Sequence, residues 1–243
     1  MAVRTARNKK KTQEYDSTWL EDPKTLGLVT AQVEDPELVK SRRAQIITSA
    51  VKVFSEKGYY ASTIKEIARE ADVSPGLIYQ YVSDKEQVLF LALQLIVFTL
   101  KKGLPEAFHR ESNPVMKYYA CFDAYCRVVD VHRDASMLTY RETHSLTREH
   151  KGFIKGMELE TNEIIAAAVR EAIREGYFKN INVELFVYHT IMTAHSWALK
   201  HWRLSQVTNL EDYIKTNARF LLASALTPKG MEAAVDILGP ETE

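Results

Sequence analysis

The residues best equipped for recognition chemistry sit together in "ADVSPGLIYQYVSDKE", residues 71–86, which packs Gly76, Tyr79, Gln80 and Tyr81 into about three helical turns after a Ser-Pro start. A glutamine can make a bidentate contact to adenine, and tyrosine hydroxyls can bond phosphate oxygens. With Ser74 at the origin and about 100° per residue, Ile78 and Val82 share a core-facing stripe. Tyr79, Gly76 and Gln80 fall together on the opposite side. Gly76 presents no side chain to obstruct approach to a groove wall, and Leu77 and Tyr81 lie on the flank, where a thymine methyl or a further phosphate is within reach. Lys85 and the free amides of the helix start near Ser83 form a second candidate phosphate site, because a helix N-terminus carries unpaired N–H groups.

Two short helices must hold these residues. The apolar stripe Ile46, Ile47, Ala50, Val51, Val53 and Phe54 predicts a first helix from Lys40 to Gly58, the expected stop residue. Thr63-Ile-Lys-Glu66 is a capping box that opens a second helix, with Ile64, Ile67, Ala68 and Ala71 on its buried side. Asp72 suits a left-handed residue in the turn that follows. Ser74 caps the third helix, and Pro75 takes its first position, where a missing N–H costs nothing. This is a helix-turn-helix arrangement, whose second helix can lie in the DNA major groove. Ser83-Asp-Lys-Glu86 reads as a further capping box opening a helix to about Lys102, stopped by Gly103 and Pro105.

Helices continue to the end without a convincing strand: 114–131, 134–146, 147–175, 182–204 and 209–226, with Pro228 closing the last. The fold class is therefore all-α. The divisions are an unpatterned, flexible N-terminal arm at 1–39, a helix-turn-helix domain at 40–86 and a helical ligand-binding and dimerisation domain at 87–243.

Composition narrows the function classes. The formal net charge is zero, yet residues 1–11 carry five basic residues and no acid, and residues 40–85 carry eight against five. The basic leader can track phosphates or enter a minor groove, or it can be a solvated tail. Cys121 and Cys126, the only cysteines, stand about 140° apart on a helix, so they share neither a disulfide nor a metal and suggest a reducing compartment. His189, His195 and His201, spaced by six, cannot ligate one metal from a single helix. No phosphate loop, paired catalytic motif or HExxH occurs, so neither an enzyme, a metal nor a cofactor is expected. The apolar run at 88–98 is interrupted by Gln94 and too short to span a bilayer, and no secretory signal follows the basic start, which makes the cytoplasm the expected location.

Residues 46–89, "IITSAVKVFSEKGYYASTIKEIAREADVSPGLIYQYVSDKEQVL", resemble the DNA-binding domain of the tetracycline-repressor-like (TetR) family of bacterial transcription regulators nearly end to end. Phe54-x-x-x-Gly58, Thr63-Ile-x-x-Ile67-Ala68, Val73-Ser74, Gly76, Tyr79-x-Tyr81 and Ser83-x-Lys85-Glu86 carry the resemblance. It implies a homodimeric, ligand-responsive regulator that binds a palindromic double-stranded operator. By position, Thr63, Tyr79, Tyr81 and Lys85 would grip backbone, and Lys65, Gly76, Leu77 and Gln80 would lie nearest the bases, with Ser74 capping the reading helix. Asp72 stands where glycine is usual, Val82 where phenylalanine is frequent and Leu77 where threonine is common, which removes one expected hydroxyl contact.

Past residue 87 the resemblance is architectural. It implies that the last two helices, rich in Phe186, Met192, Trp197, Trp202, Tyr213, Phe220 and Leu221, form the dimer bundle, although an intramolecular core would show the same composition. A small-molecule effector is expected among helices from about 84 to 175, where Tyr118, Phe122, Tyr125, Tyr140, Arg141 and His144 combine aromatics with a few polar groups. "LTYRETHSL" is similar to the corresponding region of members that respond to fatty acyl-CoA, although Arg141 and Glu142 could equally be an ion pair or interface residues. A constitutive helix-turn-helix adaptor without an inducer is the competing reading.

Overall fold

The computed structural model describes residue 20, residues 27–29 and residues 31–239; the basic leader with Arg4, Arg7 and Lys9 to Lys11 lies outside that set. The first helix, α1, spans Pro36–Lys57, starting four residues before the expected Lys40. The early start has a local cause: the Asp35 carboxylate accepts from the amides of Glu37 and Leu38, and Pro36 occupies the first position. Gly58 closes the helix at φ 84°, a conformation that glycine adopts without strain. Of the described residues before α1, Leu20 and Val29 are buried as part of the hydrophobic core.

Helix α2, Ile64–Glu70, carries both halves of the capping box: Glu66 N–H donates to Thr63 Oγ1, and Thr63 N–H donates to the Glu66 carboxylate. Asp72 has φ 55°, the left-handed conformation that its turn requires. Val73 N–H returns to Ala68 O and Asp72 N–H to Arg69 O, a double closure that satisfies the last carbonyls of α2. Helix α3 is short, Pro75–Ile78, and its Ser74 cap accepts from Leu77 N–H.

Helix α4 runs unbroken over Lys85–Arg110, through both Gly103 and Pro105. Proline there leaves one carbonyl of the preceding turn without its usual donor, a cost that tertiary packing overrides. Nearly every side chain from Val88 to Leu100 is buried, Leu104 and Ala107 remain in the core beyond, and α4 packs along both α5 (Pro114–Val131) and α7 (Arg148–Arg174). The length and apolar content of α4 are thus those of a central core helix. Its cap is Asp84 rather than Ser83: Asp84 accepts from Gln87 N–H, and the Gln87 carboxamide oxygen accepts from Ser83 N–H. The one-residue shift matters because it releases Glu86.

The remaining elements are α6 (Arg133–Glu142), a short 3₁₀ turn over Thr143–Ser145, α8 (Val183–Leu199), α9 (His201–Leu204), α10 (Leu210–Ala225), α11 (Pro228–Ala233) and α12 (Val235–Leu238). Two expectations fail at their edges. The helix from 182 breaks at Lys200, and Pro228 opens a helix instead of closing one, as proline at a first helical position can. Among the described residues the sole extended pairing is an isolated bridge between Phe178 and Leu226, so the all-α class holds.

Candidate functional site: helix-turn-helix surface and half-open cavity

The reading head is assembled from backbone bonds that the helical wheel alone does not reveal. Beyond Ile78 the chain leaves regular α-helix, yet Gln80, Tyr81 and Val82 amides return to Leu77 and Ile78 carbonyls, so the turn stays coiled through residue 82. Ile78 and Val82 are buried, Leu77 is half-buried on the flank, and Gly76, Tyr79 and Gln80 are exposed together. A Cβ on Gly76 would meet only Ser74 Oγ at 4.0 Å, so this edge stands open. Thr63 and Lys65 are exposed at the start of α2.

Two bonds from outside the helix-turn-helix fix the carbonyls of this turn. Gln32 N–H donates to Gln80 O at 2.8 Å, and Arg43 Nε–H donates to Tyr81 O at 3.1 Å. The other arm of the same guanidinium, Nη2, donates to Val29 O at 2.8 Å. Arg43 is 1% exposed, and burial lowers its pKa to about 10. Neither Gln32 nor Arg43 could be singled out from spacing, since the carbonyls of this turn that they hold lie 38 or more residues along the chain.

Two residues expected to grip phosphates face inward. Tyr81 is 2% exposed and joins the core of the helix-turn-helix, behind the exposed Tyr79 and Gln80. Lys85 Nζ donates to Tyr59 O and Ser62 O, both at 2.9 Å, and lies 4.4 Å from the Tyr59 ring centroid. The turn between α1 and α2 supplies those carbonyls, which leaves Lys85 one N–H for an external phosphate. The Asp84 carboxylate occupies the helix start where the second phosphate was expected.

Glu86, left out of the cap, reaches across to the start of α7. Its Oε1 accepts from Thr147 N–H at 2.8 Å, and its carboxylate lies 2.8 Å from His150 Nδ1. Phe90, one turn further along α4, stacks on the His150 ring with centroids 3.8 Å apart. A carboxylate on the unpaired amides of a helix N-terminus is favourably placed, so this is a firm junction between the reading head and the helices behind it.

Those helices line a half-open cavity of about 300 Å³. Ile96, Val97 and Leu100 of α4 and Ile154 of α7 form its apolar wall. Its polar end joins Tyr125 of α5, Tyr140 of α6, Glu158 of α7 and His195 of α8. Tyr125 Oη lies 3.1 Å from His195 Nε2, and Tyr140 Oη lies 2.6 Å from Nδ1, so the imidazole is held between two phenols. Burial lowers the His195 pKa to about 4, raises the Tyr140 phenol to about 12 and raises the Glu158 carboxyl above the ordinary carboxylate range.

Of the six residues expected to meet an effector, Tyr125 and Tyr140 line this cavity. Tyr118 and Phe122 are fully buried core residues, Tyr118 with its hydroxyl 2.9 Å from Thr190 Oγ1, and Arg141 and His144 are exposed outside the lining. The spacing of the histidines raises His195 only as a metal ligand, because its partners here are 70 and 55 residues distant and no local spacing marks the meeting. Cys121 and Cys126 are free and buried, and among the described residues no cluster of metal-ligating side chains occurs.

Two shielded histidines, His132 buried and His195 half-buried in the cavity lining, fix the sign of an acid transition. His132 and His195 both fall from the ordinary 6.5 to about 4, because burial disfavours the charged ring. Each is neutral in the fold above pH 4, whereas the unfolded chain takes up a proton near 6.5. Their contribution is therefore complete above 6.5 and is lost as pH falls toward 4, up to about 3 kcal/mol each. Urea unfolding should show a clear loss of stability between pH about 7.5 and about 5, and His195→Asn should reduce that slope.

Residues 46–92 match the family described as bacterial regulatory proteins, tetR family, and residues 111–222 match the tetracyclin repressor-like C-terminal domain. The chain is 41% identical over 209 residues to the HTH-type transcriptional regulator HbdR of Aromatoleum sp. (strain CIB), covering 86% of this chain and 91% of that one. Among solved structures it resembles the ketosteroid transcriptional regulator KstR2 of Mycobacterium tuberculosis, with a TM-score of 0.67 at 19% identity, over 82% of this chain and 99% of that one. It also resembles AibR, solved in complex with isovaleryl coenzyme A and operator DNA, with a TM-score of 0.66 at 17% identity over 74% of this chain and 98% of that one.

Proposed function

The chain belongs to the TetR family of bacterial regulatory proteins, a family of transcriptional regulators and not of enzymes, and from that premise we propose that it is a homodimeric repressor released from a palindromic operator by a small effector. The observation that carries this reading is the exposed set Gly76, Tyr79 and Gln80, backed by buried Ile78, Tyr81 and Val82 and fixed at its carbonyls by Gln32 and Arg43. Gln80 and Leu77 read base edges with Lys65, Tyr79 and Thr63 hold phosphates, and Lys85 offers its one remaining N–H. Reading through one such turn covers few bases, so two-fold pairing, with heads about 34–36 Å apart, supplies the needed specificity.

Leu185, Trp202, Val207 and Phe220, all more than half exposed on α8 to α10 and the turn between the last two, support a dimer interface there. The cavity supports effector control: its walls come from α4, which begins in the reading head, and from α7, which Glu86 joins to that head. An apolar or amphipathic effector suits the walls, and the acyl group of an acyl-CoA is compatible provided its phosphates remain outside, since no Lys or Arg among the described residues lines the cavity. Operator DNA places the work in the cytoplasm. Footprinting on the intergenic DNA upstream of the gene should show a two-fold-symmetric protected site. Equal affinity for that DNA and a random duplex would overturn the proposal.

A further inference from the structure

We propose that the cavity selects an uncharged apolar molecule bearing a hydroxyl, an alcohol or a phenol, and discriminates against the corresponding carboxylate; this rests on the effector reading above. The argument is an inventory of donors and acceptors at the polar end. Four hydroxyl groups of the lining have already spent their protons on helix carbonyls: Ser136 on His132 O, Thr139 on Ala135 O, Thr143 on Thr139 O and Thr161 on Glu158 O, at 2.6 to 2.9 Å. Each retains acceptor capacity only. Glu158 adds a carboxyl group, and no Lys or Arg among the described residues lines the space.

The donors reside in the Tyr125–His195–Tyr140 chain. A neutral imidazole has one N–H, so the three groups hold three protons and spend two of them on their two mutual bonds. With the imidazole proton on Nδ1, Tyr125 donates to Nε2 and the proton left over is that of Tyr140, which is 46% exposed in the cavity lining and whose hydroxyl meets only the weak acceptor Met192 Sδ at 3.7 Å, a contact that an entering oxygen displaces. The end of the cavity thus offers one spare donor among several acceptors, and no Lys or Arg among the described residues lines it.

A hydroxyl complements that set, because it donates one proton to an acceptor such as Glu158 and accepts the spare phenolic proton. A carboxylate has no proton to donate, meets no Lys or Arg among the described lining residues, and is repelled by Glu158 whenever that carboxyl is ionised. Burial raises the Glu158 carboxyl, and Lys155 on the same helix offsets this in part, but neither protonation state of Glu158 neutralises an anion. An ammonium could face Glu158 but would leave the phenolic donor unmatched and lose its own hydration.

The test compares ligands of one body and different heads on the full chain: octanol, octanoate, octylamine and octane, and para-ethylphenol against para-ethylbenzoate. Calorimetric titration should give octanol and para-ethylphenol at least about tenfold tighter binding than their carboxylates, the scale of one well-placed hydrogen bond. Tyr140→Phe should remove most of that advantage while leaving octane binding unchanged. If the carboxylate or the amine binds as tightly as the alcohol, or if Tyr140→Phe leaves the order of heads intact, the inference fails. Operator release is scored separately in the same samples. Hydroxyl-selective binding without release overturns the effector reading alone; release by a carboxylate that binds more tightly overturns the hydroxyl inference alone.

Discussion

Arg43→Met should lower the unfolding free energy by about 2 to 4 kcal/mol and weaken operator binding at least about tenfold, although Arg43 touches no DNA. The guanidinium supplies donors to two carbonyls at once, Tyr81 O and Val29 O. Losing both leaves two buried acceptors unpaired, at about 1 to 3 kcal/mol each. Part of that loss is offset, because burying the cation is itself costly: its pKa is held near 10, and Nη1 finds no acceptor among the described residues. The turn behind Tyr79 and Gln80 would then lose one of its two outside ties, leaving the Gln32 bond to Gln80 O. Chemical denaturation and anisotropy titration on the operator duplex measure the two effects. An Arg43→Met protein of unchanged affinity and stability would show that the guanidinium is a passenger.

The second large effect belongs to Glu86. Glu86→Ala removes the acceptor of the Thr147 amide and the partner of His150 Nδ1 in one change. The expected stability loss is about 2 kcal/mol, that of breaking a charge-assisted hydrogen bond in a half-buried site. The functional loss is larger, because α7 forms part of the cavity wall through Ile154, Glu158 and Thr161, and Glu86 is its direct polar bond to the start of α4. In the variant, effector should still bind but should shift operator affinity by much less than in the parent protein. Effector titrations of operator affinity for both proteins decide this, and an undiminished shift would place the coupling elsewhere.

The reading head was legible because its determinants are local. Thr63 with Glu66, Ser74 with Leu77, and Asp72 between the helices each act within three or four residues, which is the range that spacing reveals. Where the sequence misleads, a longer interaction has won. Pro105 is a reliable stop in isolation, yet α4 is held between α5 and α7 and continues past it. The Ser83 capping box is equally credible in isolation, but capping by Asp84 allows Glu86 to bond the Thr147 amide.

The start of α1 is a different kind of case, since Asp35-Pro36 is a readable cap obscured by the absence of apolar periodicity before Lys40. The cavity was legible only in part. Tyr125 and Tyr140 stand out as aromatics in amphipathic helices, but what makes them a site is His195, whose ring joins them from a helix far along the chain. Arg43 illustrates the same limit: a basic residue in a basic segment looks solvated until Val29 and Tyr81 close over it.

The central claim is that the coil from Ser74 to Val82 reads DNA, with Gln80 choosing bases and Tyr79 holding backbone. Selection of bound sequences from a randomised duplex pool, run in parallel for the parent protein, Gln80→Ala and Tyr79→Ala, tests it most directly. The account predicts that Gln80→Ala relaxes preference at one symmetric position in each half-site, about 1 to 3 kcal/mol of discrimination, while Tyr79→Ala selects the same sequence with uniformly weaker binding. Recovery of the parent sequence, at parent stringency, by Gln80→Ala would contradict it.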